Sequence, residues 1–241
     1  MGAIVPAILP TSREDLEGKL ALLEGLVDAV QIDIVDGKFA APATWPYVNQ
    51  SESFAARVSD GDMLPYLGRF AYELDLMVEN VETVAGLWIA AGAQRLVVHV
   101  ESTEHLPDII RDLEVKYGHS KDFAPGLLSL GLSLDDDADI SLIEPYVDRI
   151  DYVQFMGIDE VGKQGQPFDP DVLEQICAFR KLHPDMIIQV DGGVSLETAP
   201  VLLAAGVDRL VVGSGLWKAR DIKETLARFK DLFHEHGVFG Q

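Results

Sequence analysis

The chain reads as a single-domain (β/α)8 barrel, a TIM barrel. Three observations predict this. Eight short apolar runs recur at a spacing of roughly 30 residues, each followed by a segment of helical periodicity. The runs are near-continuous rather than alternating, as parallel strands covered on both faces should be. The last two runs stop at glycines, in Gln189-Val190-Asp191-Gly192-Gly193-Val194 and Leu210-Val211-Val212-Gly213-Ser214-Gly215. Barrels commonly bind phosphate at the loops after their seventh and eighth strands, where glycine lets backbone N–H groups approach an anion. A doubly wound open sheet is the competing architecture. It is weakened by Leu9-Pro10-Thr11-Ser12, which stands where a glycine-rich turn would follow the first strand.

The elements follow in order. The first strand spans Ile4 to Leu9, and Pro10-Thr11-Ser12 caps a helix carrying Leu16, Leu20, Leu22, Leu23 and Leu26. The second strand is Ala29 to Val35. An irregular stretch from Asp36 to about Ser51 reads either as a lid or as packed loop. A helix from Glu52 to Val58 leads to the third strand, Phe70 to Met77, and a helix from Val81 to Ala91 follows. The fourth strand is Arg95 to Val100, with a helix from Glu104 to Val115 and a polar insertion from Gly118 to Phe123. The fifth is Leu127 to Leu134, with a short helix over Ile140 to Tyr146. The sixth is Ile150 to Phe155, with a helix from Pro170 to Leu182. The seventh, Met186 to Val190, precedes a helix from Ser195 to Ala205. The eighth, Arg209 to Val212, precedes one from Lys218 to His234.

Composition bounds the function. The 241 residues carry 40 acidic and 19 basic side chains, a net charge of -21, which argues against nucleic acid or an anionic membrane as partner. An acidic protein that binds phosphate must do so locally, through backbone amides. The single cysteine, Cys177, excludes an intramolecular disulfide, fits a reducing cytosol and is expected to be buried on its helix. No basic region precedes the first apolar run, and no run approaches the ~20 residues of a membrane span. A soluble cytoplasmic protein is expected. Self-association is expected, with no organic cofactor.

Barrel chemistry sits at the C-terminal ends of the strands. The polar residues there are Gln31, Asp33, Asp75, His99, Glu101 and Asp191. Gln31 and Asp33 are two apart and share one face of their strand, taken as the interior. Two inward polar groups among Val30, Ile32 and Ile34 are costly unless they serve a site. Asp191 is placed across the barrel from Asp33. Carboxylates on opposite sides of a substrate suit removal of a proton from one face of a carbon and its return to the other.

At these residues the chain resembles the ribulose-phosphate 3-epimerase family. Pro6-Ala7-Ile8-Leu9 resembles its Pro-Ser-Ile-Leu opening, and Gln31-Ile32-Asp33-Ile34-Val35-Asp36-Gly37-Lys38-Phe39 its His-x-Asp-x-Met-Asp-Gly-x-Phe. Leu74-Asp75-Leu76-Met77-Val78-Glu79-Asn80 resembles its Val-His-Leu-Met-x-x-Asn, and His99-Val100-Glu101 matches its His-x-Glu. Val190-Asp191-Gly192-Gly193-Val194 and Gly213-Ser214 match its last strand ends. Its glycine-rich stretch after strand 6 is altered to Met156–Phe168, with Gly162, Gly165, Gln166 and Phe168. The resemblance implies a phosphorylated ketose as partner, with Asp33 and Asp191 as the acid–base pair for its C3. It also implies Ala7, Met77, His99, Met156, Gly162, Gly165, Gly192, Gly193, Gly213 and Ser214 as substrate and phosphate contacts. A divalent metal, held in the family by two histidines and two aspartates, would stabilise the enediolate.

The chain departs from that pattern at the chemistry. Gln31 and Asp75 replace the two histidines, Ala7 the strand 1 serine, and Val35 a methionine. The implied metal set is Gln31, Asp33, Asp75 and Asp191, all oxygen, which favours Mg2+ or Mn2+ over Zn2+, or no metal at all. Without a cation, three converging carboxylates repel and at least one is expected to have a raised pKa. Two other readings stay open: another phosphosugar barrel enzyme, and a phosphosugar-binding protein without activity. Decarboxylation through an Asp-x-Lys-x-x-Asp pattern is disfavoured, because Asp75-Leu76-Met77-Val78-Glu79-Asn80 has no lysine. Asp135-Asp136-Asp137 is expected to be a helix-start cluster, and Lys163 either a phosphate contact or a solvated lysine. His105, His119 and His183 are expected in solvent, and His234 and His236 at the end of the last helix.

Overall fold

A computed structural model describes residues 3–48, 54–121 and 128–236. Eight parallel strands close into a barrel in sequence order, β1 to β8, with β8 returning to pair with β1. The strands are β1 (Ala3–Ile8), β2 (Ala29–Val35), β3 (Ala71–Met77), β4 (Arg95–His99), β5 (Ser129–Leu134), β6 (Tyr152–Met156), β7 (Ile187–Asp191) and β8 (Arg209–Val212). The helices are α1 (Arg13–Leu23), α2 (Phe54–Ser59), α3 (Ala85–Ala90), α4 (Leu106–Tyr117), α5 (Val172–Leu182), α6 (Ala199–Ala204), α7 (Ser214–Trp217) and α8 (Ile222–His236). The expected (β/α)8 architecture is therefore the observed one. Among the described residues no helix is long and apolar enough to cross a membrane.

The core lies between strands and helices. Outward strand residues such as Ile32, Ile34, Leu74 and Leu76 pack fully buried against Leu16, Leu20, Trp88 and Ile110. Apart from this core, Val5, Ala7 and Val211 form one small apolar cluster and Val35, Ala40 and Met77 another. Much of the barrel interior is polar: Gln31, Glu73, Asp75, His99, Ser133, Gln154 and Gln189 are buried there. Burial of so many polar groups is tolerable only where they bond to one another, and their bonds determine the site.

Several local expectations change. The helix expected over Val81–Ala91 is a 3-10 turn, Val81–Thr83, followed by α3. The helix expected over Ile140–Tyr146 is two 3-10 turns, Ile140–Leu142 and Glu144–Tyr146, with Pro145 at the start of the second, where its missing N–H prevents an α-helical continuation. Cys177 is exposed, not buried, because α5 buries Val172, Ile176 and Phe179 and Cys177 lies about 100° off that stripe. His119 is buried, its ring held between the Leu128 and Arg149 carbonyls at 3.2 and 2.8 Å. His183 packs on Phe179 and pairs with Glu144 at 3.0 Å. From Asp36 to Val48 the loop is packed chain. The Thr44 hydroxyl bonds the Val35 N–H and Asp33 carbonyl at 2.9 Å, and Trp45 is buried against Trp88. The rest of that loop, and Asp122 and Phe123 of the expected polar insertion, lie outside the described residues.

Candidate active site

Register brings the acids together. Asp33 on β2 stands beside Asp75 on β3, and Asp191 ends β7 beside Met156 of β6. One carboxylate oxygen from each of Asp33, Asp75 and Asp191 lies within 4.8 Å of the others. Asp33 and Asp191 are closer neighbours than positions across a barrel suggest. The Gln31 amide nitrogen spans them, 3.0 Å from Asp33 Oδ1 and 2.6 Å from Asp191 Oδ2. Gln31 was expected to offer an oxygen to a metal. Instead its Oε1 accepts from Gln189 Nε2 at 3.3 Å, and its NH2 faces the acids.

The orientation is determined from below. Gln189 Nε2 also donates to Glu73 Oε1 at 2.6 Å and to Gln154 Oε1 at 2.8 Å. Gln154 Nε2 in turn donates to Asp75 Oδ2 at 3.2 Å. A carboxylate such as Glu73 can only accept, so it sets the direction of the whole amide chain. Asp75 Oδ1 pairs with His99 Nε2 at 3.0 Å, and His99 Nδ1 lies 3.6 Å from Asp135 Oδ1. Asp135 is thus a partner of His99, and not the helix-start acid the sequence suggested. It is Asp139 that caps the nearby 3-10 turn.

Electrostatics follow from this packing. Burial first, then the Asp191 and Asp75 carboxylates, push the Asp33 carboxyl well above the usual carboxylate range, while the Gln31 and Gln164 amides oppose this. Burial, then Asp75, raises Asp191 to about 7. The two belong to one coupled pair that shares protons rather than to two independent acids. Burial works to lower the His99 imidazole, but Asp75 and Asp135 raise it to about 10, which makes it an imidazolium at neutral pH. A carboxyl raised in the folded state binds extra protons there, so it weakens the fold as it ionises. The melting temperature is therefore expected to fall as pH rises from about 4 to about 7, with Asp191→Asn flattening the slope in thermal melts.

The acids open onto a cavity lined by Asp33, Asp191, Met77, Met156 and the glycine ends Gly192-Gly193 and Gly213-Ser214. Gly162, Lys163, Gln164, Gly165 and Gln166, from the loop after β6, form its other wall. Gln164 reaches in, its Nε2 3.4 Å from Asp33 Oδ2 and 3.3 Å from the Ala7 carbonyl. The space left is about 40 Å3, room for roughly one water. Entry of a sugar phosphate therefore requires this loop to give way. Two glycines have physical reasons. A Cβ at Gly193 (φ +64°) would lie 2.5 Å from Phe168 Cα, and one at Gly192 (φ +96°) 2.7 Å from Ile158.

Most expected site residues meet here, with three differences. Ala7 and His99 are buried behind the cavity rather than on its wall. Lys163 is at the rim, ion-paired with Glu160. Two residues were missed. Gln164 was hidden in a loop without periodicity. Lys218 has its Nζ 2.8 Å from where a Gly165 Cβ would stand, four residues beyond Ser214.

Comparison with known proteins agrees with this geometry. The model of the "Ribulose-phosphate 3 epimerase family" matches residues 3–217. A ribulose-phosphate 3-epimerase of Bacillus subtilis (strain 168) is 28% identical over 236 residues, covering 94% of this chain and 97% of the relative. One from Eremothecium gossypii is 25% identical over 231 residues, covering 95% and 91%. Among solved structures, the fold is similar to 3-hexulose-6-phosphate synthase from Salmonella typhimurium, with a TM-score of 0.67, 16% identity and 98% and 100% coverage. It is equally similar to 3-keto-L-gulonate-6-phosphate decarboxylase from Vibrio cholerae, with a TM-score of 0.67, 11% identity and 98% and 99% coverage. With the family's ordered motifs at the ends of the corresponding strands, the chain belongs to the ribulose-phosphate 3-epimerase family.

Proposed function

We infer that the protein is an isomerase that epimerises C3 of a ketose phosphate, ribulose 5-phosphate to xylulose 5-phosphate. The observation that carries this is the amide-bridged carboxyl pair, Asp33 and Asp191, opening on the glycine-lined cavity. The phosphate lies against the Gly192-Gly193 and Gly213-Ser214 backbone, with the Lys218 ammonium near the opposite wall. C3 then faces the two acids, between Met77 and Met156.

The chemistry needs one base and one acid on opposite faces of C3. Burial and mutual repulsion raise both carboxyls, Asp191 to about 7, so the pair shares a proton near neutral pH: Asp191 is assigned as the ionised base and Asp33 as the protonated acid. Asp191 takes the C3 proton, the C–H electrons delocalise onto the C2 carbonyl, and Asp33 protonates C3 of the enediolate from the other face. The roles exchange in the reverse direction. The rate of C3 exchange is therefore expected to rise with pH through about 7 as Asp191 ionises, measured by 1H NMR of ribulose 5-phosphate in D2O at a series of pH values. A profile flat from pH 5 to 9, in roughly that range, would contradict this assignment.

An all-carboxylate oxygen set selects Mg2+ or Mn2+ over Zn2+ among divalent ions. The place between Asp33 and Asp191, however, is filled by Gln31 donors where a cation requires acceptors. The residues as folded do not fit the metal, and no step is assigned to one. The same reading places the enzyme in the cytoplasm, with self-association as its assembly and neither nucleic acid nor membrane as partner.

A further inference from the structure

We propose that Gln31 takes the place of a cation between Asp33 and Asp191, so that the acid–base pair works without a divalent metal. The inference deepens the epimerase reading and rests on it for the reaction, but its structural core stands apart from activity.

Three observations carry it. First, the Gln31 NH2 reaches both acids at hydrogen-bond distance, 2.6 and 3.0 Å, so one neutral group supplies the donors that draw two carboxyls together. Second, the amide cannot be turned over at no cost. Its Oε1 accepts from Gln189, and Gln189 is anchored on the buried acceptor Glu73 at 2.6 Å. Turning Gln31 would set its oxygen against Asp191 and Asp33, of which at least one is ionised, and its NH2 against the Gln189 NH2. Third, Asp75 is already committed. His99 Nε2 holds one of its oxygens at 3.0 Å and Gln154 Nε2 the other at 3.2 Å. The His99 imidazole thus serves Asp75 as a counter-charge instead of pointing a nitrogen lone pair at the three acids.

A cation entering between the acids would have to expel the amide and leave Gln31 buried without its acceptors, which is unfavourable. Gln31 is accordingly a positioning residue. It holds Asp33 and Asp191 at a fixed separation, and its hydrogen bonds oppose the rise that burial and the neighbouring carboxyls impose on both.

The test is Mn2+ binding to chelator-stripped protein, followed by the electron paramagnetic resonance signal of free Mn2+. Wild type is expected to leave that signal unchanged. The double variant Gln31→His, Asp75→His restores two imidazoles and is expected to bind Mn2+ at least about 100-fold more tightly. A wild-type chain that takes up one Mn2+ per chain, and loses it in Asp33→Asn or Asp191→Asn, overturns the proposal whatever the activity. A second readout uses Gln31→Met, which keeps the bulk and removes the donors. Its acid limb of C3 exchange is expected to shift to higher pH, because the base loses a bond that favours its ionised form. An unshifted limb overturns the positioning role. Absence of exchange in stripped and Mn2+-loaded wild type alike, with no Mn2+ uptake, removes the epimerase reading and leaves the amide bridge in place.

Discussion

Asp191→Asn and Asp33→Asn are each expected to lower the C3 exchange rate by about 10²- to 10⁴-fold, the range that general acid–base groups supply. The fold should survive. Asparagine has nearly the shape of aspartate and can present its oxygen to the Gln31 NH2 that now bonds the acid. Removing a carboxyl that burial has already raised also removes a cost of ionisation, so the variants should melt no lower than wild type above pH ~7. The KM for ribulose 5-phosphate should change little, because the glycine ends of β7 and β8 proposed to hold the phosphate are untouched. The double variant is expected to be hardly worse than either single one, since the two acids act as a unit. Stopped-assay NMR on the three variants checks the rates and KM, and thermal melts check the stability. A single variant with exchange near the wild-type rate would remove its residue from the chemistry.

Gly193→Ala is expected to destabilise the protein by about 2–5 kcal/mol, from a strained positive φ together with overpacking against backbone. The clash is with Phe168 Cα at 2.5 Å and the Gly157 carbonyl oxygen at 3.0 Å, neither of which can rotate away. Gly213→Ala gives the contrast. The atoms nearest an added Cβ there belong to the Gln164 side chain, 2.7 Å at Nε2, and its φ of -91° lies outside the left-handed region, although its ψ of -101° falls between the α and β regions. That variant should lose less stability than Gly193→Ala, since a side chain can move where backbone cannot, and show its main effect in KM, through the proposed phosphate cradle and the displaced Gln164. Thermal melts and Michaelis parameters of the two variants separate the effects. Equal stability loss in both would show that the β7 turn has no special backbone requirement.

The strands were legible because burial on both faces writes itself as apolar runs. β2 and β8 fall at the expected Ala29–Val35 and Arg209–Val212. Asp33 and Asp191 were legible for the opposite reason, as polar residues in such runs. The amide network beneath them follows the same two-residue period and was readable in principle. Gln31 precedes Asp33 by two, Glu73 precedes Asp75 by two, and Gln189 precedes Asp191 by two. What sequence alone does not contain is which of these residues bond across the barrel, since the closure of β1 on β8 brings together groups more than 100 residues apart. That is why Gln31 read as a metal oxygen donor and folds as a hydrogen-bond donor. Gln164 and Lys218 were missed for a related reason: a loop with no periodicity gives no sign of which side chain turns inward. His119 is buried by carbonyls from two separate segments, a juxtaposition that no local pattern records.

The most direct test of the central claim is 1H NMR of ribulose 5-phosphate incubated with purified wild-type protein in D2O. The account predicts loss of the C3 proton signal with appearance of deuterated xylulose 5-phosphate, at a rate unaffected by a chelator. A C3 signal that persists with and without added Mg2+ or Mn2+ would contradict it.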